Sequence, residues 1–311
     1  SLSMDGSTTG LPGGSLAFAK LCGAGNDFIV LDGEAARSAP GAETIRLLCD
    51  RRYGVGADGL MLLRRGSGAG AGGDDAAFEV DFYNADGSGG MLCGNGARCA
   101  LERARILGWI EPDRAVGFRF AGRDYRGSSL GEGMARFELD PRVRMDAPRL
   151  VRVGDLSLSG RFVDVGSPHF VVDVAAILDG DGRRAFGSLD DVPLDALGQA
   201  VRNHPDFGAA GVNANVTELL GATLFVRTFE RGVEAETLSC GTGSASSALV
   251  RWRDGELRPP VTVVARSGDE LAVDFEAASD GSLTRLSLSG PAIQTFEGRV
   301  VALPLYGQAV Y

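Results

Sequence analysis

The sequence predicts a protein of two related lobes, each of which mixes α-helices with β-strands. Its 311 residues, 44% hydrophobic and 23% charged, are typical of a globular chain of about two domains. One order of elements can be followed in both halves: a hairpin, a helix, a strand, and a cysteine turn that starts another helix. The two cysteine turns, at Cys93 and Cys240, lie about half the chain length apart.

In the first half, residues 16–32 predict a hairpin, because the apolar runs LAFAK and FIVLD flank the turn LCGAGND. Residues 41–52 predict an amphipathic helix. GVGADGLMLL leads into a strand, and FEVDFYNADGS reads as a strand and a turn. The intervening RRGSGAGAGGDD (64–75) is too rich in glycine to bury a core and predicts a flexible loop. A helix then begins at Cys93 and ends at Gly108 as a C-cap.

The second half repeats this order. Residues 161–174, RFVDVGSPHFVVDV, predict a strand, a turn and a strand, and residues 194–204, LDALGQAVRNH, predict an amphipathic helix. TLFVRTFERG reads as a further strand. The last predicted helix begins at Cys240 and is closed by Gly255.

Composition excludes several classes of function. A formal charge of −10 argues against nucleic acid as a partner, and no apolar run approaches the ~18 residues of a membrane span. We therefore expect a cytoplasmic protein with reduced cysteines, since none of the five lies in a CxxC motif. Two histidines cannot assemble a common zinc motif. The sequence around Lys20, the single lysine, does not resemble a pyridoxal-phosphate binding site. We expect no metal and no organic cofactor.

The Cys-Gly-x-Gly turn occurs twice, as CGNG from Cys93 and as CGTG from Cys240. A helix N-terminus carries about half a positive charge and several unpaired N–H groups, which favour ionisation of a cysteine placed there. The glycines let backbone N–H groups approach a bound anion without a side chain intervening. The sequence therefore predicts two ionisable thiols and two anion-binding turns.

Two such turns suit the inversion of an amino acid at its α-carbon. A carboxylate held by the turns would take up the charge that remains when the α-proton is removed. One thiolate can remove the proton while the opposite thiol delivers another, whereas a single base returns the proton to the face it left. The doubled turn therefore favours two-base proton transfer at Cys93 and Cys240.

Several other residues allow a structural or a functional interpretation. His169, in GSPH, is either a strand-end histidine or a neighbour that helps to ionise a thiol. Glu230 and Arg231 are either a solvated strand end or a pair that recognises a zwitterionic group. Four further residues are expected to be structural: Cys22, Cys49, Cys99 and His204.

Six blocks in one order together resemble the diaminopimelate epimerase family over about residues 16–300. They are GAGNDF (23–28), GVGADG (54–59), NADGS with CGNGARC (84–99), GSPH (166–169), ERG (230–232) and ETLSCGTG (236–243). The resemblance implies two pseudo-symmetric lobes, each a curved mixed sheet wrapped around a central helix, with the active site in the cleft between them. It places the lobes at 1–140 and 141–295, with a final strand, 296–311, that returns to the first lobe.

The resemblance also implies an activity, the cofactor-independent interconversion of LL- and meso-2,6-diaminopimelate in lysine and peptidoglycan precursor biosynthesis. The partner is then a small amino-acid substrate. The oligomeric state is left open, with a homodimer as one alternative.

Residue roles are carried over by motif. Cys93 and Cys240 are the two bases, and His169 and Glu230 are candidates for tuning them. The N–H groups around the reacting carboxylate are assigned to Gly94, Asn95, Gly241 and Thr242. The remaining substrate contacts are assigned to Asn26, Asn84, Ser167, Asn213 and Arg231, with Glu230 meeting an amino group.

Three departures from the family pattern affect the expected substrate contacts. Ser167 stands where many members have Asn, and Cys22 stands where many have His. ERGVEAET, residues 230–237, is one residue longer than the common form, which could shift Glu230 or Arg231 relative to Cys240.

Three alternatives remain at this stage. The first is a cofactor-independent racemase or isomerase of another amino acid on the same fold. The second is a cysteine hydrolase that pairs one cysteine with His169, which leaves the second turn unexplained. The third is a non-catalytic amino-acid binding protein with two lobes.

Overall fold

A computed structural model describes residues 14–66 and 76–303. These residues form a mixed α+β architecture with many strands and few helices, which confirms the predicted fold class. The chain divides into two compact units. The first comprises the described residues up to Arg136 and those from Pro291 onward, and the second runs from Phe137 to Gly290. The family resemblance predicts lobe boundaries near residues 140 and 295.

The strands, in chain order, are β1 (Leu16–Gly23), β2 (Asn26–Leu31), β3 (Gly59–Arg65), β4 (Phe78–Asn84), β5 (Val116–Phe120), β6 (Arg123–Gly131), β7 (Met134–Leu139), β8 (Arg144–Met145), β9 (Arg149–Val153), β10 (Leu156–Asp164), β11 (Pro168–Leu178), β12 (Asn213–Leu220), β13 (Thr223–Glu230), β14 (Ala235–Thr237), β15 (Val261–Val264), β16 (Glu270–Ala277), β17 (Leu283–Pro291) and β18 (Ile293–Val300). The α-helices are α1 (Ala42–Cys49), α2 (Gly94–Ile106), α3 (Leu194–Arg202) and α4 (Gly241–Arg253).

The first unit is a mixed sheet around α2. Its strands pair in the order β18, β1, β2, β3, β4, β5, β6, antiparallel except for the parallel pairs β2–β3 and β4–β5. Helix α2 contacts β1, β2 and β18 toward one end of this order and β6 at the other, and ten of its residues are buried. The sheet therefore wraps around the helix. Helix α1 packs its apolar stripe, Ile45 to Cys49, into a separate cluster with β2 and β3.

The second unit repeats this plan around α4. Strands β10 to β13 pair in sequence, with β11–β12 parallel, and β13 also pairs with β14 and with β15. Helix α4 contacts β10 to β13, β15 and β16 and is buried from Gly243 to Arg251. Helix α3 closes the other face of β12 and β13 with the apolar side chains Leu194, Leu197 and Val201.

Two predicted segments fall partly beyond the residues that the structure describes. Strand β18 pairs antiparallel with β1, whereas residues 304–311 of the predicted final strand lie outside the described range. Residues 67–75 of the predicted glycine-rich loop also lie outside it, and residues 64 and 65 belong to β3. Among the described helices, none is long and apolar enough to cross a membrane.

Candidate active site

The first cysteine turn places Cys93 directly at the start of α2. Cys93 is the N-cap residue, with an extended backbone at φ −115° and ψ 115°, and its carbonyl oxygen accepts the N–H of Ala97 at 2.8 Å. The Cys93 side chain is half-buried. A Cβ added to Gly94 would meet no atom within 4 Å, so the first turn of the helix is open to an incoming group.

The hairpin β1–β2 brings Asn26 against this helix start. Its two-residue turn has positive φ at both positions, Ala24 at 51° and Gly25 at 88°, the geometry of a tight hairpin turn. The preceding Gly23 leaves little room for a side chain, since an added Cβ would lie 3.0 Å from the Cys99 sulfur and 3.1 Å from the Asn95 carbonyl oxygen. This close approach lets Asn26 reach the side chain of Asn95.

The amides of Asn26 and Asn95 are fixed in one orientation by a line of hydrogen bonds. Asn26 Nδ2 donates to Asp58 at 3.1 Å, and Asn95 Nδ2 donates to Asn26 Oδ1 at 2.7 Å. The buried Arg98 donates to Asn95 Oδ1 at 2.6 Å. Each amide NH2 group carries two N–H donors, and these bonds use one donor of Asn26 and one of Asn95, so the second can be offered to a carboxylate.

A charged cluster lies behind Asn26. Arg51 donates two hydrogen bonds to Asp27, at 2.8 and 2.9 Å, and the buried Lys20 ammonium lies 2.8 Å from the same carboxylate. Burial raises the pKa of Asp27, but the bonds from Arg51 and Lys20 outweigh it and hold that pKa well below its usual range. Lys20 is thus held in an ion pair and also donates to the Gly56 carbonyl oxygen.

Asn84 hydrogen-bonds within its own turn. It ends β4 in an exposed turn, where its Nδ2 donates to Ser88 Oγ at 3.0 Å. Its predicted contact with substrate therefore stays a prediction.

The second cysteine turn has the same backbone form as the first. Cys240 is the N-cap residue of α4, with φ −125° and ψ 113°, and is half-buried. Its sulfur accepts the N–H of Gly243 at 3.4 Å and lies 3.5 Å from Thr242 Oγ1. The first of these is a capping bond that the Cys93 side chain does not make.

Glu230, at the end of β13, acts electrostatically on the Cys240 thiol. Thr237 Oγ1 donates to Glu230 Oε1 at 2.6 Å. Burial raises the pKa of Glu230. Burial, reinforced by the Glu230 charge, also raises the pKa of Cys240 to about 12, against the opposing bonds from Thr242 and Gly243. Desolvation and the neighbouring carboxylate therefore act against the ionisation of Cys240 that its place at a helix start predicts.

His169 acts on Cys240 only through Thr242. Its Nε2 lies 2.9 Å from Thr242 Oγ1, and its Nδ1 lies 2.9 Å from Asn215 Nδ2. The ring is fully buried, and this burial lowers the pKa of His169 to about 3, so the imidazole is neutral near pH 7. The second histidine, His204, caps the short 3-10 helix that begins at Pro205, in agreement with its expected structural role.

The predicted contacts Ser167, Asn213 and Arg231 meet at one place. Asn213 Nδ2 donates to Ser167 Oγ at 2.9 Å and to the Pro168 carbonyl oxygen at 2.8 Å, while its Oδ1 accepts the backbone N–H of Arg231 at 2.8 Å. Both N–H groups of Asn213 are thus used within the protein. The amide holds the two loops in register, and only its oxygen can contact a substrate.

The longer ERGVEAET segment is absorbed in a turn. Glu230 pairs with Ala235 across the β13–β14 hairpin, and the turn uses positive φ at Gly232 (95°) and Glu234 (60°). The carbonyl oxygen of Glu230 accepts the N–H of Glu234 at 2.8 Å. With the extra residue in this turn, Glu230 is still near enough to Cys240 to affect its pKa.

Four side chains that support these groups were missed by the sequence analysis: Asp58, Arg98, Asn215 and Thr228. A signal existed for one of them. Asn213, Asn215 and Thr217 alternate along β12, and a period-two polar row in a buried strand indicates a polar face toward a neighbour.

The chain is similar in sequence to known diaminopimelate epimerases. Residues 18–122 match a family model described as diaminopimelate epimerase. A diaminopimelate epimerase of Chlorobaculum tepidum is 35% identical over 287 residues, which cover 90% of this chain and 99% of that protein. One from Aquifex aeolicus is 33% identical and covers 92% of this chain and 98% of its own length.

Solved structures share the fold. The crystal structure of a probable proline racemase from Agrobacterium radiobacter K84 superposes with a TM-score of 0.64 at 16% identity, and the match covers 94% of each chain. At that identity the likeness extends to the architecture alone.

Proposed function

The chain belongs to the diaminopimelate epimerase family, and we propose that it interconverts LL- and meso-2,6-diaminopimelate by two-base proton transfer. The reaction is an isomerisation in the supply of lysine and of peptidoglycan precursors. Proton exchange at a carbon next to a carboxylate needs two things, a base matched to each face and a stabilised carboxylate.

The observation that carries this proposal is the repeated helix start. Cys93 and Cys240 are both N-cap residues with nearly the same extended backbone, and each precedes a first turn whose N–H groups have no partner within the helix. We assign the carboxylate to the N–H groups of Gly94, Asn95, Gly241 and Thr242. Charge that flows into the carboxylate as the α-proton leaves is stabilised by these donors and by the helix dipoles.

The two cysteines have complementary roles, because one accepts a proton while the other donates one. In the direction that begins with a Cys93 thiolate, this thiolate removes the α-proton, and the Cys240 thiol delivers its proton to the carbanion. Cys240 suits the donor role at rest, because its pKa of about 12 keeps it protonated. In the reverse direction Cys240 must first lose its proton, and Glu230 is the adjacent acceptor. The resulting thiolate accepts hydrogen bonds from Thr242 and Gly243.

Substrate recognition is assigned to the remaining polar groups. Asn26 and Asn95 offer N–H groups to a carboxylate, and Arg231 offers a guanidinium. The Ser167 hydroxyl, whose oxygen accepts from Asn213, keeps its own proton to donate. Asn84 completes the proposed set of contacts.

We also place the activity in the cytoplasm, where the five cysteines, none of which forms a disulfide in the structure, stay reduced. A homodimer stays a prediction.

The test is proton NMR of the purified protein with LL-diaminopimelate in D2O. We expect the α-proton signal to disappear as the meso isomer forms, because each turnover exchanges a substrate proton for solvent deuterium. Cys93→Ala and Cys240→Ala should each abolish epimerisation, whereas Cys49→Ala, which removes a buried thiol at the end of α1, should retain it.

Other results would point elsewhere. Absence of exchange by folded, reduced protein would overturn the proposal, and a panel of amino acids would then test for a racemase with another substrate. Full activity of either catalytic cysteine variant would refute two-base transfer. Substrate binding without exchange by the unaltered protein would indicate a binding protein.

A further inference from the structure

A continuous line of hydrogen bonds runs from strand β13 to the sulfur of Cys240. Thr228 Oγ1 donates to Asn215 Oδ1 at 2.8 Å, and Asn215 Nδ2 lies 2.9 Å from His169 Nδ1. His169 Nε2 lies 2.9 Å from Thr242 Oγ1, which lies 3.5 Å from the Cys240 sulfur. Thr228, Asn215 and His169 are buried, so water does not compete for these bonds.

The direction of this line is fixed at Asn215. Its Nδ2 also lies 3.3 Å from the carbonyl oxygen of Phe170, which can only accept a hydrogen bond. The amide nitrogen must therefore face both Phe170 and His169. An amide nitrogen only donates, so Nδ1 of His169 accepts and carries no proton. The neutral ring then carries its proton on Nε2 and donates it to Thr242.

The tautomer of His169 affects the Cys240 sulfur through the hydroxyl of Thr242. Thr242 Oγ1 accepts from His169, so the single hydroxyl proton is free to point toward Cys240. The sulfur then accepts two hydrogen bonds, one from Thr242 and one from the N–H of Gly243. Hydrogen bonds to a sulfur favour its ionised form. With the opposite tautomer, His169 would take the Thr242 proton and the sulfur would lose one of these donors.

We propose that Asn215, held by Thr228, is a positioning residue for Cys240: it fixes the tautomer of His169 and so keeps the Thr242 hydroxyl directed at the sulfur. The role deepens the proposed function, on which it rests, because it concerns the reactivity of one of the two assigned bases. Asn215 acts through two other side chains rather than on the substrate.

The two charged groups nearby do not replace this role. Glu230 acts on the sulfur from the end of β13, but while it is ionised its carboxylate only accepts hydrogen bonds and donates none to a thiolate. Arg231 acts electrostatically on the imidazole by disfavouring its charged form. Both effects leave the choice between the two neutral tautomers to Asn215.

The first measurement is the 15N NMR spectrum of histidine-labelled wild-type protein at pH 8.5. The chain has only two histidines, so His204 serves as an internal reference. Nitrogen shifts distinguish the two neutral tautomers and the imidazolium. We expect His169 to carry its proton on Nε2 alone, and a proton on Nδ1 would overturn the proposal without any variant.

The second measurement uses Asn215→Asp, which keeps the shape of the side chain and replaces the donor with an acceptor. We expect the proton of neutral His169 to move to Nδ1. Alkylation of Cys240 by iodoacetamide, followed by mass spectrometry of its peptide, should slow about tenfold at pH 8.5. That change corresponds to one pKa unit, which is the scale of one lost hydrogen bond to a charged group.

Controls separate this role from a structural one. Asn203→Asp makes the same chemical change beside His204, where Asn203 Nδ2 donates to the Gln199 carbonyl oxygen, and it should alter neither measurement. If Asn215→Asp does not fold, Thr228→Val removes the bond that holds the amide and should give a mixture of tautomers. A folded variant with unchanged tautomer, or with a changed tautomer but unchanged alkylation, would refute the proposal.

Neither readout requires turnover. A protein with the expected tautomer and alkylation behaviour but no epimerisation would refute the proposed function and retain the role of Asn215. An active epimerase with the opposite tautomer would do the reverse.

Discussion

Replacing Glu230 with Gln should make the Cys240 thiol easier to alkylate and should slow epimerisation. The carboxylate disfavours the thiolate form of Cys240 electrostatically and is also the group assigned to accept the thiol proton. Two unit charges about 4 Å apart repel by about 4 kcal/mol at an effective dielectric constant of about 20, which corresponds to about three pKa units. Solvent reaches this half-buried site and screens the repulsion. We therefore expect the pKa of Cys240 to fall by less, about one to two pKa units.

The sign of the pH dependence follows from this shift. In the wild type Cys240 is protonated up to a pKa of about 12, so its alkylation rate rises with pH throughout the range in which the protein is assayed. In Glu230→Gln any given alkylation rate should be reached at a lower pH, and alkylation at pH 8.5 should be at least tenfold faster. Epimerisation should nevertheless fall by about 100-fold, because the acceptor for the thiol proton has been removed.

The assay follows alkylation of the Cys240 peptide by mass spectrometry and epimerisation by NMR on the same preparations. Glu234→Gln is the matched control, since it removes an exposed carboxylate in the adjacent turn. Slower alkylation in Glu230→Gln would show that the carboxylate does not raise the pKa of Cys240. Faster alkylation with undiminished epimerisation would show that Glu230 is not the proton acceptor.

Two further predictions concern the two helix starts. Asn95→Asp keeps an acceptor for Arg98 but removes the N–H that Asn26 accepts, so we expect KM for diaminopimelate to rise about tenfold with little loss of thermal stability; an unchanged KM would contradict the assigned contact. Gly243→Ala should lower the free energy of unfolding by about 1–3 kcal/mol, since its Cβ would lie 2.5 Å from Asn215 Oδ1. Gly96→Ala, the equivalent change in α2, meets its nearest atoms at 3.5 Å and should cost less than about 1 kcal/mol in urea denaturation; equal losses would contradict this reasoning.

The fold and the two helix starts could be predicted from the sequence because their signals are local. Glycines that permit positive φ, as at Gly25, and a cysteine followed by Gly-x-Gly report backbone geometry within a few residues. Alternation of apolar residues gave the strands of the hairpins, and the apolar stripe of α3 gave the helix. These features need no knowledge of distant neighbours.

The electrostatics of Cys240 could not be obtained in that way. Whether a helix start lowers a thiol pKa depends on burial and on charges that other strands bring near, and Glu230 precedes Cys240 by a hairpin rather than by a helical turn. The role of Asn215 was hidden for a similar reason. An asparagine inside a strand matches no motif, and its significance arises only when the parallel pairing of β11 with β12 brings it to His169.

The two helix starts share a backbone but differ in what lies behind them. Behind Cys93, Asn26 and Asn95 form a line of amides whose free groups are N–H donors, anchored by the buried Arg98. Behind Cys240, a histidine and a carboxylate act on the sulfur itself, His169 through a hydroxyl and Glu230 directly. The repeated turn therefore supplies what both proton-transfer steps require, a thiol and a set of N–H groups. The neighbouring strands account for the difference. Near Cys93 they provide side chains that suit binding of a carboxylate, and near Cys240 they provide side chains that control protonation of the thiol.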